Sequence, residues 1–175
     1  MCYNMHRKNK KDLSEKKPNN INDYEHYIEV LEKNNVPNAR ENVKQMFILD
    51  YLIMNIDRHM KNFGVIRNVN TLEWISTTPI FDNGESMQRD KLTNEINFNN
   101  GNGKFFSNTN KDYEEILKTI GDFSNIDFSK LDGVVEKYRN VLEKYQGYTD
   151  SSQERINKLC EGLNIRIKKI QKNQD

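Results

Sequence analysis

Residues 43 to 56 carry Val43, Met46, Phe47, Ile48, Leu49, Leu52, Ile53, Met54 and Ile56, in a chain whose hydrophobic fraction is only 35%. On a helix these side chains fall on nearly every face. A helix from about 39 to 55 therefore has no side suited to water and must lie at the centre of the fold. Asn38-Ala39-Arg40-Glu41 has the form of a capping box at its start, with Asn as N-cap and Glu three residues on. Asp50 stands inside this apolar run. A carboxylate buried there needs a partner, and Arg58 is a candidate.

The remaining elements have to wrap that helix. Asn22 can cap a helix over 23–34 with Tyr24, Tyr27, Ile28 and Leu31 on one face, and Asn35-Val36-Pro37 ends it, so the first two helices form an αα-hairpin. Val65-Ile66-Arg67 and Leu72-Glu73-Trp74-Ile75 read as short strands joined by Asn68-Val69-Asn70. Trp74 and Phe81 are expected to be core anchors. Residues 88–110, rich in Asn and Gly, predict a long surface loop. Helical patterns follow at about 111–120, 130–146 and 151–172, the last with Ile156, Leu159, Leu163, Ile167 and Ile170 at spacings of three and four. That stripe predicts packing against the rest of the domain. The expected fold is mainly α (α+β overall), helices around one short β-hairpin.

At 175 residues the chain is one domain or a sub-domain of something larger. Residues 1–21 include six Lys and Arg and bury little, which predicts a mobile basic arm, a solvated tail rather than a nucleic-acid-binding segment. The body is 22–175, with the loop at 88–110 and a helical tail at 111–172. A net charge of +1 gives no reason to expect nucleic acid or an anionic membrane as partner. Cys2 and Cys160 have no metal-ligand spacing and read as free cysteines of a cytoplasmic protein. No apolar run approaches the roughly 20 residues of a membrane span, and no signal-peptide core is present.

The core helix runs directly into Asn55-Ile56-Asp57-Arg58-His59-Met60-Lys61-Asn62, and the hairpin leads to Ile80-Phe81-Asp82-Asn83-Gly84. Singly, Asp57, Asn62 and Asp82 are ordinary turn formers. Jointly they set Asp-x4-Asn ahead of Asp-x-Gly with a hairpin between. Phosphoryl transfer needs that set: a carboxylate to orient the attacking hydroxyl, then an amide oxygen and a second carboxylate for Mg²⁺.

The run from Phe47 to Asn62, with its Asp-Arg-His-x-x-Asn order, resembles the HipA-like serine/threonine kinases and their CtkA-type relatives, and is also similar to the catalytic loop of phosphoinositide kinases. Trp74 and Pro79-Ile80-Phe81-Asp82-Asn83-Gly84-Glu85-Ser86 fit the HipA-like pattern better. The resemblance implies a protein-kinase-like C-lobe whose hairpin carries the catalytic and metal loops. Asp57 would orient the substrate hydroxyl, Asn62 and Asp82 would ligate Mg²⁺, and His59 would contact the transferred phosphate of ATP. Arg58 would buttress the loop, and Gly84 would take a positive φ after the metal ligand.

The implied substrate is a protein Ser/Thr hydroxyl. No Gly-rich loop lies upstream of Asp57, and the Gly101/Gly103 pair is too weak to be a phosphate cradle. The expectation is a lobe with little activity and weak or absent ATP binding until a separately encoded N-lobe completes it. The alternative is a degenerate lobe serving as a binding module, with an antitoxin-like partner or in transcriptional regulation.

Overall fold

The computed structural model describes residues 2–3, 17–106, 109–148 and 152–172. Helix α1 (Asp23–Lys33) starts where Asn22 accepts a hydrogen bond from the Glu25 backbone N–H at 2.9 Å, the N-cap its sequence predicts. Tyr24, Tyr27, Ile28 and Leu31 are all buried. Helix α2 (Ala39–Ile53) follows, without the predicted capping box. Asn38 has φ 51°, and its side chain makes no cap hydrogen bond. An N-cap side chain reaches the first turn from an extended backbone, and left-handed Asn38 is aimed elsewhere. At the other end Met54 turns left-handed, with φ 52°, which breaks the helical phase. Ile56, expected among the core residues, is consequently 39% exposed.

Strands β1 (Cys2–Tyr3), β2 (Val65–Arg67) and β3 (Trp74–Thr77) form an antiparallel sheet in that order, Cys2 opposite Ile66 and Val65 opposite Thr77. The remainder of the expected N-terminal arm, residues 1 and 4–16, lies outside the described residues. In the hairpin connection the Asn68 side chain accepts from the backbone N–H of Asn70 and Thr71, at 2.9 and 3.2 Å. Leu72, expected in the second strand, has φ 63° and belongs to the turn, so β3 begins at Trp74. Trp74 packs half-buried against the core, whereas Phe81 is 39% exposed and is not part of the core cluster, contrary to expectation.

Within the expected surface loop 88–110, the described residues hold more regular structure than their composition implies. Thr93–Glu95 makes a 3-10 turn, β4 (Asn102–Lys104) pairs antiparallel with β5 (Asn110–Asp112), and Phe98 and Phe105 are buried. Two phenylalanines, each hiding on the order of 150–250 Å², outweigh the surrounding asparagines. Phe105 and Phe106 insert beside Phe47 and Phe63, with ring centroids 4.7 Å apart for Phe47–Phe105 and 5.6 Å for Phe63–Phe106.

Helix α3 (Tyr113–Ile120) is capped by Asp112, α4 (Val134–Lys144) follows left-handed Gly133, and α5 (Gln153–Gln171) is capped by Ser152. All five residues of the α5 stripe are buried, so this helix docks on its own domain. Cys160, on the same helix, is a free and buried cysteine, and burial pushes its thiol above the ordinary range. Helix α2 touches α1, α3, α5 and β3, which is how an all-round apolar helix is satisfied. The described residues are thus mainly α, with two small antiparallel sheets. Among the described residues no helix is long and apolar enough to cross a membrane.

Candidate active site

The left-handed turn at Met54 ends α2 and releases the chain into the Asp57 loop. Asn55 stitches that turn back onto the helix. Its backbone N–H donates to the Asp50 carbonyl and its side-chain amide to Asp50 Oδ1, both at 2.9 Å. The Tyr113 hydroxyl of α3 donates to the Asn55 carbonyl at 2.6 Å, and burial raises Tyr113 far above the usual phenol range, so it remains a donor. Asn55 Oδ1 in turn accepts from the Asp57 backbone N–H at 3.2 Å. Asp57 therefore leaves a rigid, doubly held peptide.

Arg58 is fully buried, and Asp50 is its partner, as the sequence suggested. Arg58 Nε donates to Asp50 Oδ2 at 2.8 Å and Nη2 to Oδ1 at 2.9 Å, a two-point pairing. The remaining donors go to the two acidic loops. Nη1 serves the carbonyls of Asn62 at 2.9 Å and Phe81 at 2.5 Å, and Nη2 also donates to Asn83 Oδ1. All five guanidinium N–H groups are used. Burial pushes the Asp50 carboxyl above the ordinary carboxylate range, against the opposing pull of Arg58 and Asn55.

These bonds place the sequence-predicted residues. Asn62 is buried, and its amide N–H donates to the Asp57 carbonyl at 2.9 Å, which leaves Oδ1 as the free end of that amide. Asp82 sits between Phe81 and Asn83, both held by Arg58, so the second loop lies beside the first. Asp82 is exposed, left-handed (φ 55°), and makes no hydrogen bond or ion pair with the described residues. Gly84 does not take the expected positive φ. The left-handed residue is Asp82 itself, and a methyl group at Gly84 would meet only Arg89 Nη1, at 3.8 Å. His59 Nε2 stands 3.7 Å from Asp57 Oδ2, while its Nδ1 accepts from the Lys61 backbone N–H at 3.3 Å, which assigns the proton to Nε2 in the neutral ring.

Sequence reasoning missed Lys104. Its ammonium donates to Asp57 Oδ1, from a strand 47 residues farther along the chain. Only its neighbours Gly103 and Phe105 hint that β4 approaches anything closely. A cleft of about 350 Å³ opens beside the two loops, lined by Met46, Phe63, Gly64, Thr78, Pro79 and Ile80 among others. Among the described residues no three His, Cys, Asp or Glu side chains converge to hold a metal unaided. What the site offers is hard oxygen, from Asn62 Oδ1 and the unpartnered Asp82 carboxylate.

A mainly α domain in which one buried arginine fastens two short acidic loops side by side is the class that fold and site define. The family model of the HipA-like C-terminal domain matches residues 1–146, and the chain belongs to that family. Helix α5 follows the matched residues. No curated protein and no solved structure matches the chain.

Proposed function

We propose that this chain is the catalytic lobe of an ATP-dependent protein serine/threonine kinase of the HipA-like kind. Supporting this is the Arg58 network, which couples the Asp57–Asn62 loop to the Asp82 loop through a single guanidinium. The donor chemistry fits Mg²⁺, which favours oxygen ligands and takes one or two protein groups together with waters and substrate phosphates. Asn62 Oδ1 and the Asp82 carboxylate would hold the ion, which when bound neutralises charge on the phosphates.

Asp57 would then accept or orient the proton of the acceptor hydroxyl. As the new O–P bond forms, the bond between the terminal phosphorus and the β–γ bridging oxygen breaks, and ADP departs with that oxygen. Arg58 keeps the loops in register without touching the reacting atoms, so its role is positioning. The apolar cleft beside Gly64 is the wall on which a nucleobase would rest.

The deciding experiment is isothermal titration of the chain with Mg²⁺-ATP, alone and mixed with a candidate N-terminal lobe. The expected result is weak binding alone and stronger binding in the mixture, with Asp82→Asn losing about tenfold or more of the affinity, as loss of a charged metal ligand would. No Mg²⁺-dependent binding in either format would remove the kinase reading and leave a binding module.

A further inference from the structure

The Asp57 carboxylate, which ought to be open to an acceptor hydroxyl, is not open. Its Oδ1 is taken by Lys104, and its Oδ2 faces His59. Lys104 is not a surface lysine that happens to fall on an acid. Its backbone N–H points to the Ile56 carbonyl at 3.4 Å, and the preceding Gly103 is pressed onto the same loop, where a Cβ would lie 2.9 Å from both the Asn55 carbonyl oxygen and the Tyr113 hydroxyl. The following Phe105 is buried against Phe47. Strand β4 is thus clamped on both sides of Lys104, and the ammonium is delivered to Asp57 by construction. The pair is only partly shielded, with the Lys104 and Asp57 side chains 26% and 32% exposed. Lysine is a compact point charge on a long flexible stem, able to change anions without moving its backbone.

We infer that Lys104 is the terminal-phosphate contact of this site, parked on Asp57 until nucleotide arrives. This rests on the kinase reading above. With ATP in place, the ammonium moves from the carboxylate to the more highly charged terminal phosphate, and Asp57 Oδ1 is freed for the acceptor hydroxyl. The arrangement assigns to a strand lysine the contact that sequence position alone suggests for His59. It also predicts discrimination: a group that reads the terminal phosphate matters for ATP and not for ADP.

The test is calorimetric titration with Mg²⁺-ATP and Mg²⁺-ADP of the chain alone or mixed with an N-terminal lobe, whichever binds nucleotide. The proteins are wild type, Lys104→Met, Lys104→Arg and His59→Ala, with thermal melting as a check on folding. Lys104→Met should lose about tenfold or more in ATP affinity, the usual scale for a charge-assisted hydrogen bond, with ADP affinity unchanged. Lys104→Arg should keep most of the ATP preference. An unchanged ATP-to-ADP ratio in a folded Lys104→Met protein, an equal loss for both nucleotides, or a ratio that shifts with His59→Ala instead, would each overturn the assignment while leaving the kinase reading intact. If wild type binds neither nucleotide in any format, both fall together.

Discussion

Removing Arg58 would do more than delete one ion pair. Asp50 is 2% exposed, and without the guanidinium its carboxylate keeps only the Asn55 amide. Breaking a buried pair from one side costs about 3–5 kcal/mol, a large fraction of the roughly 5–15 kcal/mol that holds a domain together. Arg58→Ala should therefore show a strongly lowered urea midpoint. The deficit should also depend on pH with a definite sign. Burial already raises Asp50 in the folded state above its ordinary value of 3.8, and loss of Arg58 removes the largest opposing influence. A carboxyl raised on folding stabilises the native state below its unfolded pKa, and that contribution is lost as pH rises through the folded one. The Arg58→Ala deficit should thus be largest near neutral pH and shrink as pH falls toward about 4, where Asp50 folds protonated. A deficit that grows in acid would count against this account. Arg58→Lys should be only a partial remedy, since one ammonium cannot satisfy Asp50, two carbonyls and Asn83 at once.

At the level of elements, α5 depends on a glycine. A Cβ at Gly162 would lie 2.1 Å from the Phe98 ring, and Phe98 is buried, so the ring has no easy retreat. Alanine favours a helix over glycine by about 1 kcal/mol. Overpacking costs about 1–3 kcal/mol, and here the clash should win: Gly162→Ala is expected to lower the melting temperature, and a rise would show that α5 and the Phe98 segment separate freely. This contact also marks the limit of what sequence discloses. The periodic elements were legible: the α1 face, the all-round burial of α2, the stripe on α5 and the Asp50–Arg58 pairing all follow from spacing and from the cost of an unpaired charge. The segment around Phe98 was not, because single aromatics among asparagines have no period, and their burial depends on a partner glycine 64 residues away. The Asn38 cap failed for a related reason, since residue identity does not fix φ. Lys104 was invisible because nothing in Asn-Gly-Lys names the aspartate it meets.

For the molecule as a whole, the HipA-like membership sets the frame, and the candidate cluster within it was half legible. The sequence pointed to Asp57, Asn62 and Asp82 through their order and to His59 through the family resemblance, and the structure brings Asp57, His59 and Asn62 into contact and sets the Asp82 loop beside them. It adds a lysine to the cluster and moves the left-handed backbone from Gly84 to Asp82. The chain beyond the family match packs onto the matched part, because Arg166 of α5 donates to the Phe98 carbonyl at 2.8 Å and lies over the rings of Tyr51 and Tyr113. One consequence reaches across the fold. Because a single guanidinium grips carbonyls on both acidic segments, neither can fray by itself. Amide deuteration should find 57–62 and 81–83 opening as one unit at a common rate, and independent rates would mean that the two segments are merely neighbours.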